Sequence, residues 1–267
     1  MSRSLASLDA LRDRGTLAMI DAHNHLDFEA FAADRAAVIA EARASGIVAS
    51  VLAGTHPETW ERTRAVAKEG GDVAVLGVHP AWADRVADWD DIVAALEKAS
   101  PVGIGEIGLD RRVTKDLAWQ QAGLRAQLAM ARATDRPVIF HCVRAYPELL
   151  ATIRRDGLPQ AGGMIHGWTG PPDRVAEAVA LGLSLSFGLA ITHAHAPRQA
   201  ASARATPADR LLVETDCPDT RPSKARGAPT DLMRVIEAVA RARGESADAV
   251  AQTTHDNAAR MFGMGRL

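Results

Sequence analysis

The sequence has little cysteine, no excess of charge of either sign and no long hydrophobic run. Its two cysteines, Cys142 and Cys217, cannot build a disulfide framework, and they lack the paired spacing of a zinc ribbon or a redox motif. The apolar stretch near the N-terminus is interrupted by Asp9, Arg12 and Asp13, which argues against a signal sequence, and no later run is long enough to span a membrane. We therefore expect a cytoplasmic protein that does not associate with membranes.

The balance of charge also restricts the partners that the chain can bind. A formal net charge of -2 at pH 7 provides no global positive field that would hold a polyanion. Any contact with a polyanion must then be local. The candidate basic residues mostly follow predicted strands, and they are Arg111, Arg112, Lys115, Arg144, Arg154, Arg155, Arg221, Lys224 and Arg226. We expect at least half of them to be ordinary solvated surface charges.

Short β-rich runs alternate with longer segments of helical period from Met19 onward. This alternation is typical of a parallel sheet built from βα units. Strands are predicted near residues 19–23, 47–53, 73–78, 102–106, 137–141, 162–166, 183–187 and 210–215. Alternation and strand count fit a closed (β/α)8 barrel, but an open doubly wound sheet would show the same pattern.

The segments between these strands each carry one apolar stripe at helical spacing. Two examples are Tyr146, Leu149, Leu150 and Ile153, and Leu232, Val235, Ile236 and Val239. A last helix is predicted from Ser246, as its N-cap, to Phe262, packed outside the barrel. Residues 1–18 carry no strand signal and are predicted to be an extension, either an extra helix or a segment that precedes the natural start at Met19. Residues 19–267 are predicted to form a single barrel domain, since one barrel commonly takes about 250 residues.

Polar residues at the ends of the predicted strands favour the barrel. Six of the eight strands deliver a potential metal ligand or proton carrier to the same rim, where barrel active sites are built. These residues are His23 and His25 after strand one, His79 after strand three, Glu106 after strand four, His141 after strand five, His166 after strand six, and Glu214 and Asp216 after strand eight. We therefore predict a TIM-type (β/α)8 barrel with a hydrolytic metal site.

A shared metal ion explains why these residues end strands of a Val-, Ile- and Leu-rich core. Buried together without an ion they would be costly. His23 and His25 lie on one face of a strand because side chains alternate with period two, so both can bind the same ion. The second His-x-His pair, His193 and His195, lies beyond strand seven and is interpreted as surface. The mixed N/O set accepts Zn²⁺, Mn²⁺ or Mg²⁺, and the imidazoles favour zinc or manganese.

The order and spacing of these motifs resemble those of the TatD family of metal-dependent deoxyribonucleases. The matching segments are Met19–Asp27, Gly77–Pro80, Gly105–Asp110, Pro137–Cys142, His166–Gly170, Glu214–Pro218 and Asn257–Phe262. The resemblance implies a metallo-dependent hydrolase barrel related to the amidohydrolases, with two divalent metal ions. It implies that His23, His25, Glu106 and Asp216 surround one metal, while Glu106 bridges to a second metal held by His141 and His166.

The same resemblance suggests roles for the remaining site residues. Two metal ions would lower the pKa of a shared water for attack on phosphorus, with Asp216 orienting or deprotonating that water. His79 is suited to donate a hydrogen bond to the phosphate or to the leaving oxygen, although a structural turn histidine is an equal alternative. Arg144 could clamp the phosphate, and Trp168 could stack on a base or sugar or pack under a loop. Glu214 could support the site from behind the ligands or make a plain structural hydrogen bond.

We expect single-stranded or nicked DNA as the substrate and no obligate protein partner. Two alternatives stay open. The same metal pair could hydrolyse an ester or amide, such as the ester of a D-aminoacyl-tRNA, or the metals could merely stabilise a noncatalytic scaffold.

Two departures from the family pattern concern substrate contacts more than metal binding. They are Val143, where the family often has arginine, and Gly227-Ala228-Pro229, where the family has Asn-Glu-Pro.

Overall fold

The computed structural model describes residues 18–113, 116–193, 196–219 and 226–264. Its eight strands form one parallel sheet in sequential order, β1 to β8. The strands are β1 Met19–Asn24, β2 Ile47–Gly54, β3 Val73–Leu76, β4 Gly103–Asp110, β5 Val138–Val143, β6 Gly163–Ile165, β7 Leu183–Phe187 and β8 Leu211–Val213. All eight coincide with predicted strands, and the sequential order is that of a barrel rather than of a doubly wound sheet.

Hydrogen bonds just beyond the strand ends bring β8 back to β1. The backbone N–H of Asp216 donates to the carbonyl of His23 at 3.0 Å, and the N–H of His25 donates to the carbonyl of Cys217 at 2.9 Å. The buried Asp21 side chain reinforces this seam, since it accepts from the backbone N–H of Thr215 at 2.9 Å and from its hydroxyl at 2.6 Å. The barrel therefore closes where three predicted site residues meet, and the predicted TIM-type fold is confirmed.

Nine α-helices lie within the described residues. They are α1 Arg35–Ala44, α2 Pro57–Gly70, α3 Trp89–Ala99, α4 Leu117–Ala133, α5 Tyr146–Asp156, α6 Asp173–Ala180, α7 Pro197–Ala205, α8 Leu232–Arg243 and α9 Ala247–Phe262. Short 3-10 segments occupy Glu29–Phe31, Pro80–Arg85, Leu189–Thr192, Ala208–Arg210 and Pro229–Asp231. The described helices contain none that is long and apolar enough to cross a membrane.

The predicted apolar stripes face the barrel. Leu149, Leu150 and Ile153 of α5 are buried, and so are Leu232, Val235, Ile236 and Val239 of α8. The predicted cap of α9 is also confirmed, because the Ser246 side chain accepts a hydrogen bond from the N–H of Ala249 at 3.1 Å. Ala258 and Phe262 of α9 pack with residues near the amino ends of the strands, so this helix covers the end of the barrel opposite the predicted site.

Period-two alternation explains how the strands present the site. Ile139, Met164 and Leu212 belong to one buried apolar cluster from different strands. Two positions after each of these residues come His141, His166 and Glu214, on the same strands or just past their ends. A spacing of two keeps a side chain on the same face of the strand, so these three side chains also point into the barrel, above the apolar cluster.

Strand β4 extends four residues past its predicted end, to Asp110. Gly108 allows this extension to lie against β5, because a Cβ at this glycine would stand 2.0 Å from the carbonyl oxygen of His141 and its φ is 149°. The prediction for residues 1–18 falls almost entirely outside the described residues, and so do His195, Lys115, Arg221 and Lys224. His193 is exposed, as its interpretation as a surface residue expects.

Candidate metal centre

Glu106 lies at the centre of the predicted ligands and is itself buried. Its Oε1 is 2.6 Å from His141 Nδ1 and 2.8 Å from His166 Nε2. Its Oε2 faces the other way, 3.5 Å from His23 Nε2 and 3.4 Å from His25 Nε2. Each carboxylate oxygen therefore meets a different pair of imidazoles.

Asp216 completes the half of the cluster that Oε2 faces. Its Oδ1 lies 3.4 Å from His23 Nε2 and 3.5 Å from His25 Nε2. His23, His25 and Asp216 can each offer one atom within 4.8 Å of the others, and so can His23, Glu106 and His166. The structure thus brings all six predicted metal ligands together at the carboxyl end of the barrel.

Three of the four histidine ligands are oriented by acceptors behind them. His25 Nδ1 donates to the carbonyl of Ala53 at 2.9 Å, and His141 Nε2 donates to Asp110 Oδ2 at 3.0 Å. His166 Nδ1 lies 3.3 Å from Glu214 Oε1, so Glu214 occupies the supporting position suggested for it. Each of these three rings consequently points its other nitrogen into the cluster, as metal-binding histidines do.

The donor atoms fit a cation. His141 Nδ1 and His166 Nε2 are 3.0 Å apart and share Glu106 Oε1, an arrangement of lone pairs that needs a proton or a cation between them. Both ring nitrogens of His23 are buried without a hydrogen-bond partner among the described residues. A coordinated metal would satisfy these groups, and the mixed N/O set suits zinc or manganese.

The electrostatics of the cluster likewise favour added positive charge. Burial alone would lower the pKa of His25, but hydrogen bonds with Asp216 and Glu106 outweigh it and hold the pKa well above its usual range. Burial would raise the pKa of Glu106, yet the charge of His166 and the hydrogen bonds with His141 and His166 hold it well below its usual range. The carboxylates therefore stay ionised and attract cations.

Asp110 is a site residue that the sequence interpretation did not assign. Its Oδ2 accepts a hydrogen bond from His141 Nε2. The Gln120 side chain holds the backbone of Asp110, because its Oε1 accepts from the Asp110 N–H at 2.8 Å and its Nε2 donates to the Asp110 carbonyl at 3.0 Å. Asp110 therefore fixes the ring orientation of a predicted ligand.

We expect Asp110→Asn to weaken metal binding by about 10- to 100-fold, because the amide supports the His141 ring less strongly than the carboxylate does. Titration of the metal-free protein with Zn²⁺ measures this change. Asp116→Asn is a matched control, since Asp116 caps the start of α4 through the N–H of Trp119 and lies away from the cluster. Equal zinc affinities for the two variants would contradict the role of Asp110.

His79 follows β3, just before the 3-10 segment Pro80–Arg85, and its ring meets that of His141 edge-on. The N–H of Ala81 donates to His79 Nδ1 at 3.0 Å, so the proton of the neutral ring sits on Nε2, 3.4 Å from Glu106 Oε1. Burial lowers the pKa of His79 to about 3, which keeps the ring neutral. His79 is therefore a hydrogen-bond donor that points into the site.

The two other predicted substrate contacts are placed differently. Arg144 is exposed and follows β5 with a φ of 55°. Trp168 is only 1% exposed, and its ring packs edge-on against Tyr146 with centroids 4.9 Å apart. In this conformation the Trp168 ring packs beneath the rim and offers almost no open face for a base.

A cavity opens beside the cluster, between the loops that follow β4 to β8. His141, His166 and Asp216 line its polar side. Phe187, Leu189 and Ile191 are among the residues of its apolar side. A group held at the candidate metal centre would extend into this cavity.

Of the basic residues singled out in the sequence, most of those that the structure describes are engaged in ion pairs. Arg154 pairs with Glu177, Arg155 with Asp156, and Arg226 with Asp34. Ion pairs of this kind at the surface contribute little to stability. Few of the described basic residues line the cavity beside the cluster.

Comparison with known proteins agrees with the geometry. A family model described as TatD related DNase matches residues 20–263. The uncharacterized metal-dependent hydrolase YjjV of Escherichia coli K12 is 32% identical over 252 residues, which is 91% of this chain and 97% of that protein. A 3'-5' ssDNA/RNA exonuclease TatD from Pantoea vagans is 33% identical over 261 residues, 91% of this chain and 99% of that protein.

Solved structures show the same fold. The crystal structure of the Escherichia coli TatD homologue YjjV superposes with a TM-score of 0.86 at 31% identity, covering 93% of this chain and 99% of that one. The phosphotriesterase homology protein of Escherichia coli, solved with phosphate in its active site, gives a TM-score of 0.69 at 16% identity and covers 92% of this chain and 99% of that one. The second likeness concerns the fold alone.

Proposed function

Because the chain belongs to the family of TatD-related DNases, we propose that this metal-dependent hydrolase cleaves phosphodiester bonds in single-stranded or nicked DNA. The relative from Pantoea vagans is named an exonuclease of single-stranded DNA and RNA. A likeness that spans nearly the whole of both chains supports a nucleic acid as the substrate here as well.

The observation that carries the proposal is the division of Glu106 between two sets of ligands. His23, His25, Asp216 and Glu106 would hold one divalent cation, and His141, His166 and Glu106 would hold a second. Zinc and manganese suit the four imidazoles better than magnesium does. When bound, such cations polarise a phosphoryl oxygen and make a water molecule more acidic.

Asp216 is the residue placed to handle the proton of the attacking water. Burial would raise its pKa, but the contacts of Oδ1 with His23 at 3.4 Å and His25 at 3.5 Å outweigh burial and hold the pKa well below its usual range. The carboxylate is therefore ionised at neutral pH, the form in which it can orient the attacking water through a hydrogen bond and take part in the transfer of its proton. Its side chain is 16% exposed, whereas that of Glu106 is 3% exposed, so Asp216 is the more accessible of the two carboxylates.

We assign to His79 a hydrogen bond to the phosphate. Its Nε2–H can donate to a phosphoryl oxygen or to the leaving oxygen, which stabilises the charge that develops there. The tautomer is fixed by the Ala81 N–H rather than by the substrate, so this donor is prepared before the substrate arrives.

Metal removal and restoration test the proposal. We expect chelation to lower cleavage of a single-stranded oligodeoxynucleotide at least about 100-fold, and Zn²⁺ or Mn²⁺ to restore it, since the metal supplies several kcal/mol of stabilisation. Elemental analysis of the loaded protein should give two metal ions per chain. Nicked and intact duplexes assayed in parallel test the preference for accessible ends.

The ester alternative is tested with the same preparations. Release of amino acid from a D-aminoacyl-tRNA, without cleavage of any oligonucleotide, would replace the nuclease proposal with an ester hydrolase. A loaded protein that cleaves neither substrate would contradict both. DNA and RNA oligonucleotides of the same sequence measure the sugar preference.

A further inference from the structure

Arg112 lies at the cavity beside the candidate metal centre in a position that no assigned role explains. Its backbone N–H donates to Asp110 Oδ1 at 2.7 Å, its Nε donates to the same oxygen at 3.2 Å, and its Nη2 donates to Asp110 Oδ2 at 3.0 Å. A guanidinium carries five N–H donors, so most of its donor capacity remains after these contacts. The Arg112 side chain is 55% exposed, whereas that of Asp110 is 1% exposed.

The same carboxylate joins Arg112 to the metal centre. Asp110 Oδ2 accepts from Arg112 Nη2 on one side and from His141 Nε2 on the other. Arg112 is also the one Lys or Arg among the described residues that line the cavity, where it lies with His141, His166 and Asp216. A positive charge is thereby held at a fixed distance from the predicted ligands.

The neighbouring arginine is directed elsewhere. Arg111 Nη2 donates to Glu148 Oε1 at 2.6 Å, and Arg111 is not among the residues that line the cavity within the described chain. The two side chains are similarly accessible, at 46% and 55%. Of these two arginines, Arg112 is the one that combines an anchored guanidinium with access to the cavity.

We propose that Arg112 binds the phosphate next to the scissile one, and so selects substrates that carry a second phosphate. The Asp110 carboxylate, the His141 ring and three hydrogen bonds separate Arg112 from Glu106, so we assign the two residues to different phosphates. A planar guanidinium held by a carboxylate is suited to bidentate recognition of a phosphate. This proposal rests on the proposed function, since it assumes a polynucleotide substrate.

The test compares Arg112→Ala with Arg111→Ala on two substrates. One is bis(p-nitrophenyl) phosphate, which has a single phosphate, and the other is a short single-stranded oligodeoxynucleotide. We expect Arg112→Ala to lower kcat/KM on the oligonucleotide by about 10- to 100-fold, mainly through KM, as loss of a charge-assisted contact does. On the single-phosphate substrate, the kcat/KM of Arg112→Ala should stay within about threefold of wild type. Arg111→Ala should keep kcat/KM within the same range on both substrates.

Two further measurements separate phosphate binding from support of the fold. Loss of one phosphate contact should reduce the dependence of log(kcat/KM) on log[salt] by about 0.7 for a single strand. Arg112→Lys keeps the charge and should recover part of the activity on the oligonucleotide. Equal losses on both substrates would overturn the proposal in favour of a structural role through Asp110.

The outcomes also distinguish this inference from the proposed function. Wild-type cleavage of the oligonucleotide with equal kcat/KM for Arg112→Ala and Arg111→Ala would overturn the inference alone. A metal-loaded wild type that leaves the oligonucleotide intact would overturn the proposed function, and the inference with it.

Discussion

Replacing Glu106 with Gln is expected to reduce kcat/KM by about 10³-fold or more and to lower the metal content below two ions per chain. Gln keeps the shape of the side chain but offers one carbonyl oxygen and an amide nitrogen that does not bind a cation. In wild type, each carboxylate oxygen of Glu106 faces a different pair of imidazoles. The single oxygen of Gln can face only one of these two pairs, so one cation loses a ligand. A loss of about 4 kcal/mol, the scale of metal stabilisation, corresponds to about 10³-fold.

Glu177→Gln is the matched control for this variant. Glu177 pairs with Arg154 and Arg174 on the helical surface, so the same chemical change there should leave metal content and activity unchanged. Metal analysis, thermal unfolding and steady-state kinetics are measured on both proteins. A Glu106→Gln protein that bound two ions with wild-type affinity and cleaved at the wild-type rate would exclude a bridging carboxylate.

The fold could be predicted from the sequence because each local signal agreed with the others. The alternation of strand and helix patterns gave eight strands, and the polar residues at their ends distinguished a barrel from an open sheet. The convergence of His23, Glu106 and His166 from distant parts of the chain follows from the same rule, since all parallel strands of a barrel end at one rim.

Asp110 was missed because β4 was predicted to end at Glu106. Gly105 and Gly108 weaken a strand signal, although here they permit close approach of β4 to β5. Had the strand been extended, alternation would have placed Asp110 on the same face as Glu106. The sequence pattern was therefore compatible with Asp110 as a site residue, but the low strand propensity of the two glycines led to a predicted strand that was too short.

The substrate contacts were harder to predict for a different reason. Whether an arginine lines a cavity depends on which carboxylate it pairs with. The sequence does not indicate that Arg111 pairs with Glu148 while Arg112 pairs with Asp110. Likewise, Trp168 lies close to His166 in the chain, but its ring is covered by tertiary packing against Tyr146. Roles for Arg144 and Trp168 in substrate binding stay predictions.

Asp216→Asn is expected to lower kcat by about 10²- to 10⁴-fold, the range for loss of a positioned proton acceptor. Asn is the suitable replacement because Asp216 has a φ of 52°, and Asn tolerates this left-handed conformation better than most residues do. The backbone N–H that donates to the His23 carbonyl is also retained. The amide oxygen can still face His23 and His25, so we expect the metal content to change less than the rate does.

Asp209→Asn makes the same change on an exposed side chain that faces Arg210 rather than a residue of the candidate metal centre, and it should keep kcat within about threefold of wild type. The comparison needs saturating metal, because a defect in loading would mimic a defect in proton transfer. If Asp216→Asn reached the wild-type rate once enough Zn²⁺ was added, its carboxylate would serve only as a ligand. A rate that stays low in the fully loaded protein assigns the proton to Asp216, since Glu106 is turned toward the imidazoles and is the less accessible carboxylate.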